Sequence, residues 1–132
     1  MAEGRRDVEA DMARIQTALD SGKEPDIWGT ADLLTDLSVQ VPEKAWRIIA
    51  RYGISENEEV RGVIATCALE HLLEHHFESY FNQVEAIVIS GNPRFADTLM
   101  SCSRFENKML PDQIKRWDSL LDGIKNRRRS GK

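Results

Sequence analysis

The chain has 132 residues, 41% hydrophobic and 30% charged, with a net charge of −4. That suits one ordinary folded domain with its own core. No apolar run approaches the roughly 20 residues of a membrane helix, and the opening M-A-E-G-R-R-D-V-E lacks the apolar stretch of a secretory signal, so the expected location is the cytoplasm.

Val8, Met12, Ile15 and Leu19 recur at helical spacing and predict an amphipathic helix ending near Gly22. Residues 23–26, K-E-P-D, read as a loop. Ile27, Leu33, Leu34 and Leu37 share one face of the next helix, with Trp28, Asp32 and Asp36 on the other. Pro42 suits the first turn of a new helix. That helix carries Ala45, Trp46, Ile48 and Ile49 and stops at Gly53, expected in the left-handed region. The run S-E-N-E over 55–58 reads as a capping box, in which Ser55 and Glu58 satisfy each other's backbone N–H groups. A long helix is predicted from about Glu56 to His76, and another from Ser79 to Ser90, closed by Gly91. The β-branched run 86–90 continues the helical spacing of Phe81, Val84 and Val88, so it reads as buried helix. Pro93 starts a short helix through about Cys102. A loop with Asn107 precedes Pro111, and Ile114, Trp117, Leu121 and Ile124 define the last helix.

These elements make an all-α protein of about seven helices, either stacked antiparallel pairs in a HEAT-like array or an irregular helical bundle. One domain is expected over 1–132. From Lys125 onward there are five basic residues and no acid, and residues 126–132 are expected to fray as a basic tail. The preceding part carries 13 basic against 22 acidic residues, a balance of −9, which argues against a nucleic-acid-binding body.

One stretch has the residue types of a metal site. His71, Glu74 and His75 stand in the order H-x-x-E-H, the zinc pattern of inverted zinc peptidases. Two His at i, i+4 can face one ion, with the Glu as base. The third ligand must come from elsewhere. Cys67 is eight residues from His75, about 12 Å along a helix, too far to share the ion. A distant acid such as Glu85 or Glu106 would have to supply that ligand, and nothing in the sequence marks either. A helical wheel supports a plainer origin. Val60, Val63, Ile64 and Cys67 make an apolar stripe on one side, while Leu69, Leu72 and Leu73 fall on the other. The side bearing His71, Glu74, His75 and Glu78 is then left without a core to face, open to solvent or to a partner. A zinc-dependent hydrolase using His71 and His75 is the minor reading, and no metal or cofactor is expected.

No nucleophile elbow, phosphate loop or dinucleotide fingerprint occurs. Cys67 and Cys102 form no C-x-x-C pair and are expected as free, mostly buried thiols. Trp46 and Trp117 sit at core spacing.

The segments D-I-W-G-T-A-D-L-L-T-D-L from Asp26, P-E-K-A-W from Pro42, A-L-E-H-L-L from Ala68, V-E-A from Val84 and N-P-R-F from Asn92 resemble a family of small bacterial helical domains of unknown function. The resemblance covers about residues 26–100. Cys67-Ala68 stands where that family's pattern has a Gly-Pro. The resemblance implies a bacterial, cytoplasmic, HEAT-like helical protein and no particular activity.

The expected function is non-enzymatic protein binding through an acidic helical face. Between Ser55 and Glu78 there are six acids against one base, and Glu70, Glu74 and Glu78 form an i, i+4, i+8 ladder. The expected partner-binding residues are Glu70, His71, Glu74, His75 and Glu78, and the partner a basic toxin or enzyme, as for an immunity-type inhibitor. A general scaffold or adaptor is the alternative. No nucleic acid or membrane is expected as a partner.

Overall fold

Asp7 starts the first helix, its Oδ1 accepting the Ala10 backbone N–H at 3.1 Å. The computed structural model describes residues 7–130. Helix α1 (Val8–Ser21) buries Met12, Ile15 and Leu19 and ends, as expected, at Gly22, whose φ of +69° is left-handed, a conformation common just past a helix end. The predicted loop 23–26 is instead the beginning of a short helix, α2 (Glu24–Trp28), with Pro25 in its first turn. Proline suits a first turn because its missing N–H has no intrahelical partner there anyway. Gly29 and Thr30 then separate α2 from α3 (Ala31–Gln40), so Ile27 belongs to a different helix from Leu34 and Leu37, although all three are buried together.

Helix α4 (Pro42–Tyr52) opens on proline as expected. Gly53 closes it with φ −67°, which corrects the left-handed expectation. The glycine is needed for closeness. A Cβ there would stand 2.6 Å from the Ile49 carbonyl oxygen and 2.9 Å from Phe95 Cε1, and the Gly53 carbonyl accepts the buried Thr98 hydroxyl at 2.6 Å.

The capping box is also corrected. The N-cap of α5 (Glu58–Val63) is Asn57, whose Oδ1 accepts the backbone N–H groups of Glu59 and Val60 at 2.8 and 3.3 Å. The Ser55 hydroxyl accepts the Asn57 N–H one step earlier, at 3.0 Å. Helix α5 runs without a break through a π-helical segment, Ile64–Leu69, into α6 (Glu70–Ile89). A π turn holds one more residue than an α turn, so it rotates the side chains beyond it by about 100°. That shift resolves the stripe that changes sides on a regular wheel. Leu69, Leu72 and Leu73 return to the core that Val60, Val63 and Ile64 already face, and all six are buried in one cluster. The predicted break after His76 appears as a kink inside α6, with His76 at φ −138°, ψ 38°. His76 Nε2 donates to the Val39 carbonyl at 3.0 Å, a partner for one of the orphan carbonyls at the end of α3.

Gly91, at φ +98°, closes α6. Helix α7 (Pro93–Met100) starts under an Asn92 cap, and a 3₁₀ turn over Glu106–Lys108 leads to α8 (Pro111–Ser130). Residues 126–130, part of the expected basic tail, are helical. Helix α8 continues through Ser130, Arg127 Nη1 donates to the Val88 carbonyl at 2.9 Å, and Arg128 pairs with Asp97. Residues 131 and 132 lie outside the described part.

The fold is therefore all-α, and no strand occurs among the described residues. The continuous α5–α6 rod is the centre of the packing: α2, α3, α4, α7 and α8 all rest on it, and α1 packs across α2, α3 and α4. One hydrophobic cluster takes side chains from each of these helices, α1 to α8. No described helix is long and apolar enough to cross a membrane.

Candidate functional site

The first two acids of the ladder, Glu70 and Glu74, are covered by the chain's own later segment. Glu70 is only 9% exposed, and its Oε2 accepts the Ser103 backbone N–H at 2.9 Å. The Glu74 side chain is 7% exposed; Lys108 Nζ donates to its Oε2 at 2.6 Å. Glu78 accepts from Gln113 Nε2 at 2.8 Å and lies 3.7 Å from Arg116. Arg116 also reaches Glu85 at 3.2 Å and lies over the Phe77 and Phe81 rings. The expectation that this side of the helix is left open is thus corrected for Glu70 and Glu74. Residues 103–116 fold back over it, bringing the complementary charges Lys108 and Arg116. Of the five predicted partner-binding residues, His75 and Glu78 are exposed, while His71 is half-buried with its ring 5.7 Å from that of Phe105.

His71 Nδ1 and His75 Nε2 lie 3.4 and 3.5 Å from the same Glu74 oxygen. Burial pushes the Glu74 carboxyl up. The hydrogen bond and charge of Lys108, with His75 and His71 beside it, outweigh that and hold it below its ordinary value. A carboxylate so held, and already paired, is a weak general base near neutral pH. Of the acids considered as a third metal ligand, Glu85 is engaged by Arg116, and the Glu106 side chain lies outside the described part. Cys67 Sγ rests 3.6 Å from the Thr66 hydroxyl. Among the described residues, no group of three or more His, Cys, Asp or Glu side chains is arranged to hold a metal ion. A recess of about 310 Å³ opens beside His75, Glu78, Lys108 and Leu110.

Both cysteines are free thiols. Burial pushes the Cys67 thiol up, with Glu70 and Asp32 adding to it. Cys102 Sγ donates to the carbonyl of Ala65 in the π segment at 3.3 Å, and burial pushes this thiol well above its ordinary value. Neither has the electropositive surroundings of a reactive cysteine.

The excess of acid over base lies in the N-terminal half. Residues 7–59 carry 12 acids against five bases, whereas residues 60–130 carry nine against ten. Within that half Trp28 is 38% exposed, and its indole N–H donates to Glu59 Oε1 at 2.7 Å. Gly62 lies beneath the ring; a Cβ there would stand 3.4 Å from Trp28 Cζ2. Asp32 and Glu58 are exposed on the neighbouring helices. On the other flank of α2 a groove of about 570 Å³ runs between α1 and α2. Sequence reasoning set Trp28 on the outer face of its helix but missed Glu59 as its partner, and it missed Lys108, Gln113 and Arg116 as the cover of the ladder. The signal for the second was present: bases at 104, 108 and 116 recur in a segment that must return to the bundle.

No family model, curated protein or solved structure matches the chain significantly. The resemblance over residues 26–100 rests on its quoted motifs. Many of their residues, among them Leu34, Leu37, Ala45, Leu69, Leu72 and Phe95, are buried, so those positions speak of packing and not of chemistry.

Proposed function

We propose that this protein is a non-catalytic binding module that docks a basic protein through the acidic surface of its N-terminal half. The observation that carries the reading is Trp28, a partly exposed indole held in place by Glu59 among exposed carboxylates. Tryptophan is enriched at the energetic centres of interfaces, and a held ring loses little freedom on binding. Surrounding carboxylates speed the approach of a cationic partner and disfavour acidic ones. The proposed partner is a basic toxin or enzyme, and the role that of an immunity-type inhibitor in a bacterial cytoplasm, where Cys67 and Cys102 stay as thiols. Because Glu70 and Glu74 are covered, the reading rests on the α2–α5 surface and not on the ladder.

The test is retention of basic proteins from the source cell on the immobilised chain, compared with Trp28→Ala and with Glu58→Lys/Glu59→Lys. A specific partner should be lost by at least about tenfold in Trp28→Ala, and the charge reversals should flatten the salt dependence. Retention unchanged in both variants would overturn the reading.

A further inference from the structure

The groove between α1 and α2 has the dimensions and chemistry of a seat for one further helix. We propose that it receives a cationic amphipathic helix of the partner, apolar side chains inward and Lys or Arg toward the carboxylates at its edge. The inference rests on the binding-module reading and names the mode of docking.

Small side chains make the groove. Ala13, Thr17 and Ala18 line it from α1, and Gly29 and Leu33 from the other wall. Ala13, Thr17 and Ser21 stand at i, i+4 and i+8, a track of about 12 Å, or two helical turns. Small residues let a second helix approach closely. The groove has a volume of about 570 Å³, room for the side chains of such a helix and not for its backbone.

Two of the three hydroxyls that line the groove are bonded to the chain's own carbonyls. Thr30 Oγ1 donates to the Ile27 carbonyl at 2.6 Å, and Ser21 Oγ to the Ala18 carbonyl at 2.7 Å. Those two are satisfied within the chain, and Ala13, Ala18, Pro25 and Leu33 supply apolar surface beside them. An apolar side chain seated against Ala13, Ala18 and Leu33 displaces water from apolar surface and leaves the Thr30 and Ser21 hydroxyls bonded.

Charge then selects the occupant. Asp26 stands in the wall and Glu24 is exposed at the start of the same helix. Arg14, the one base lining the groove among the described residues, lies 4.0 Å from Asp11. With 12 acids against five bases, residues 7–59, which carry the groove, have a balance of −7. A helix with acids on its outer face would meet that field as repulsion, and one with bases as attraction.

The probe is a synthetic helical peptide of about four turns, leucines on one face and lysines on the other. Two controls accompany it, one with glutamate for every lysine and one with glutamine for every leucine. Binding to the isotope-labelled full chain is monitored by amide chemical shifts. The leucine–lysine peptide should shift Ala13, Thr17, Gly29 and Leu33 saturably, and neither control should do so. Thr17→Trp, which fills the groove from an exposed position, and Asp26→Lys should each weaken binding about tenfold or more. Unchanged affinity in both variants, or equal binding of either control, overturns the inference. Shifts confined to Trp28, Glu58 and Glu59 overturn the groove while leaving the acidic docking surface standing. No saturable shift anywhere in residues 7–62 overturns both.

Discussion

Lys108 and Glu74 join two segments 34 residues apart at 2.6 Å, and the carboxylate in that pair is almost wholly enclosed. The carboxyl titrates below its ordinary value of 4.5 in the folded chain. A lowered folded-state value means stability that is present above the ordinary carboxylate range and lost as pH falls through the lowered value. Glu74→Gln should reduce the urea midpoint at neutral pH, and the gap from the unsubstituted chain should close as pH falls below that range. A gap that stays constant down to strong acid would show that the ion pair does not link pH to folding.

Glu70 is the deeper contact, because its partner is a backbone N–H that no substitution at 103 other than proline removes. Glu70→Ala should cost about 1.5–3 kcal/mol, the range for hydrogen bonds to charged groups, whereas Glu70→Gln keeps an acceptor and should cost less. Equilibrium urea unfolding measures both. Equal costs would mean that the Ser103 hydrogen bond is not what Glu70 contributes.

Two glycines should respond oppositely to alanine. At Gly53 the new Cβ meets the Ile49 carbonyl and the Phe95 ring, and overpacking of that kind costs about 1–3 kcal/mol. At Gly123 a Cβ would meet nothing within 4 Å, and Gly→Ala within a helix stabilises by about 0.5–1 kcal/mol. Thermal unfolding of the two variants should move in opposite directions.

Asn57→Ala should cost about 1 kcal/mol, since it removes the acceptor for two backbone N–H groups. Ser55→Ala should cost less, because its hydroxyl serves a residue outside the helix. The reverse order would restore the capping box read from the sequence.

Tyr52 gives an alkaline counterpart. Burial, and the hydrogen bond from its hydroxyl to Asp20, push it from 10.0 to about 12. The group is neutral when protonated, and its folded value is raised. Its stabilisation is therefore full below pH 10.0 and lost as pH rises toward about 12. Asp20→Asn should bring the titration, measured by phenolate absorbance, to lower pH.

Local signals were legible in the sequence where their causes are local. Gly22, Pro42, Gly91, Pro93 and Pro111 mark boundaries because a backbone angle or a missing N–H acts on the residue itself. Pro25 misled because the same residue opens helices and occupies loops. Gly53 misled because its reason is Phe95, 42 positions away in the chain. The ladder was legible as a pattern of charges, but its exposure was not. Whether Glu74 meets water or Lys108 depends on where residues 103–116 return, and no periodicity within the helix carries that information. Trp28 was visible as an outward residue, while its clasp to Glu59 needed the packing of α2 on α5.

The π-helical segment behaves as a phase setting. Every side chain beyond it, out to the kink at His76, takes its direction from one surplus residue between Ile64 and Leu69. Deleting a single residue there would shorten the rod by only about 1.5 Å yet turn the later side chains by roughly 100°. Leu72 and Leu73 would leave the core, and Glu70 and Glu74 would swing away from Ser103 and Lys108 together. In this chain the number of residues between Val63 and Glu70 is a tighter specification than the identity of any one of them.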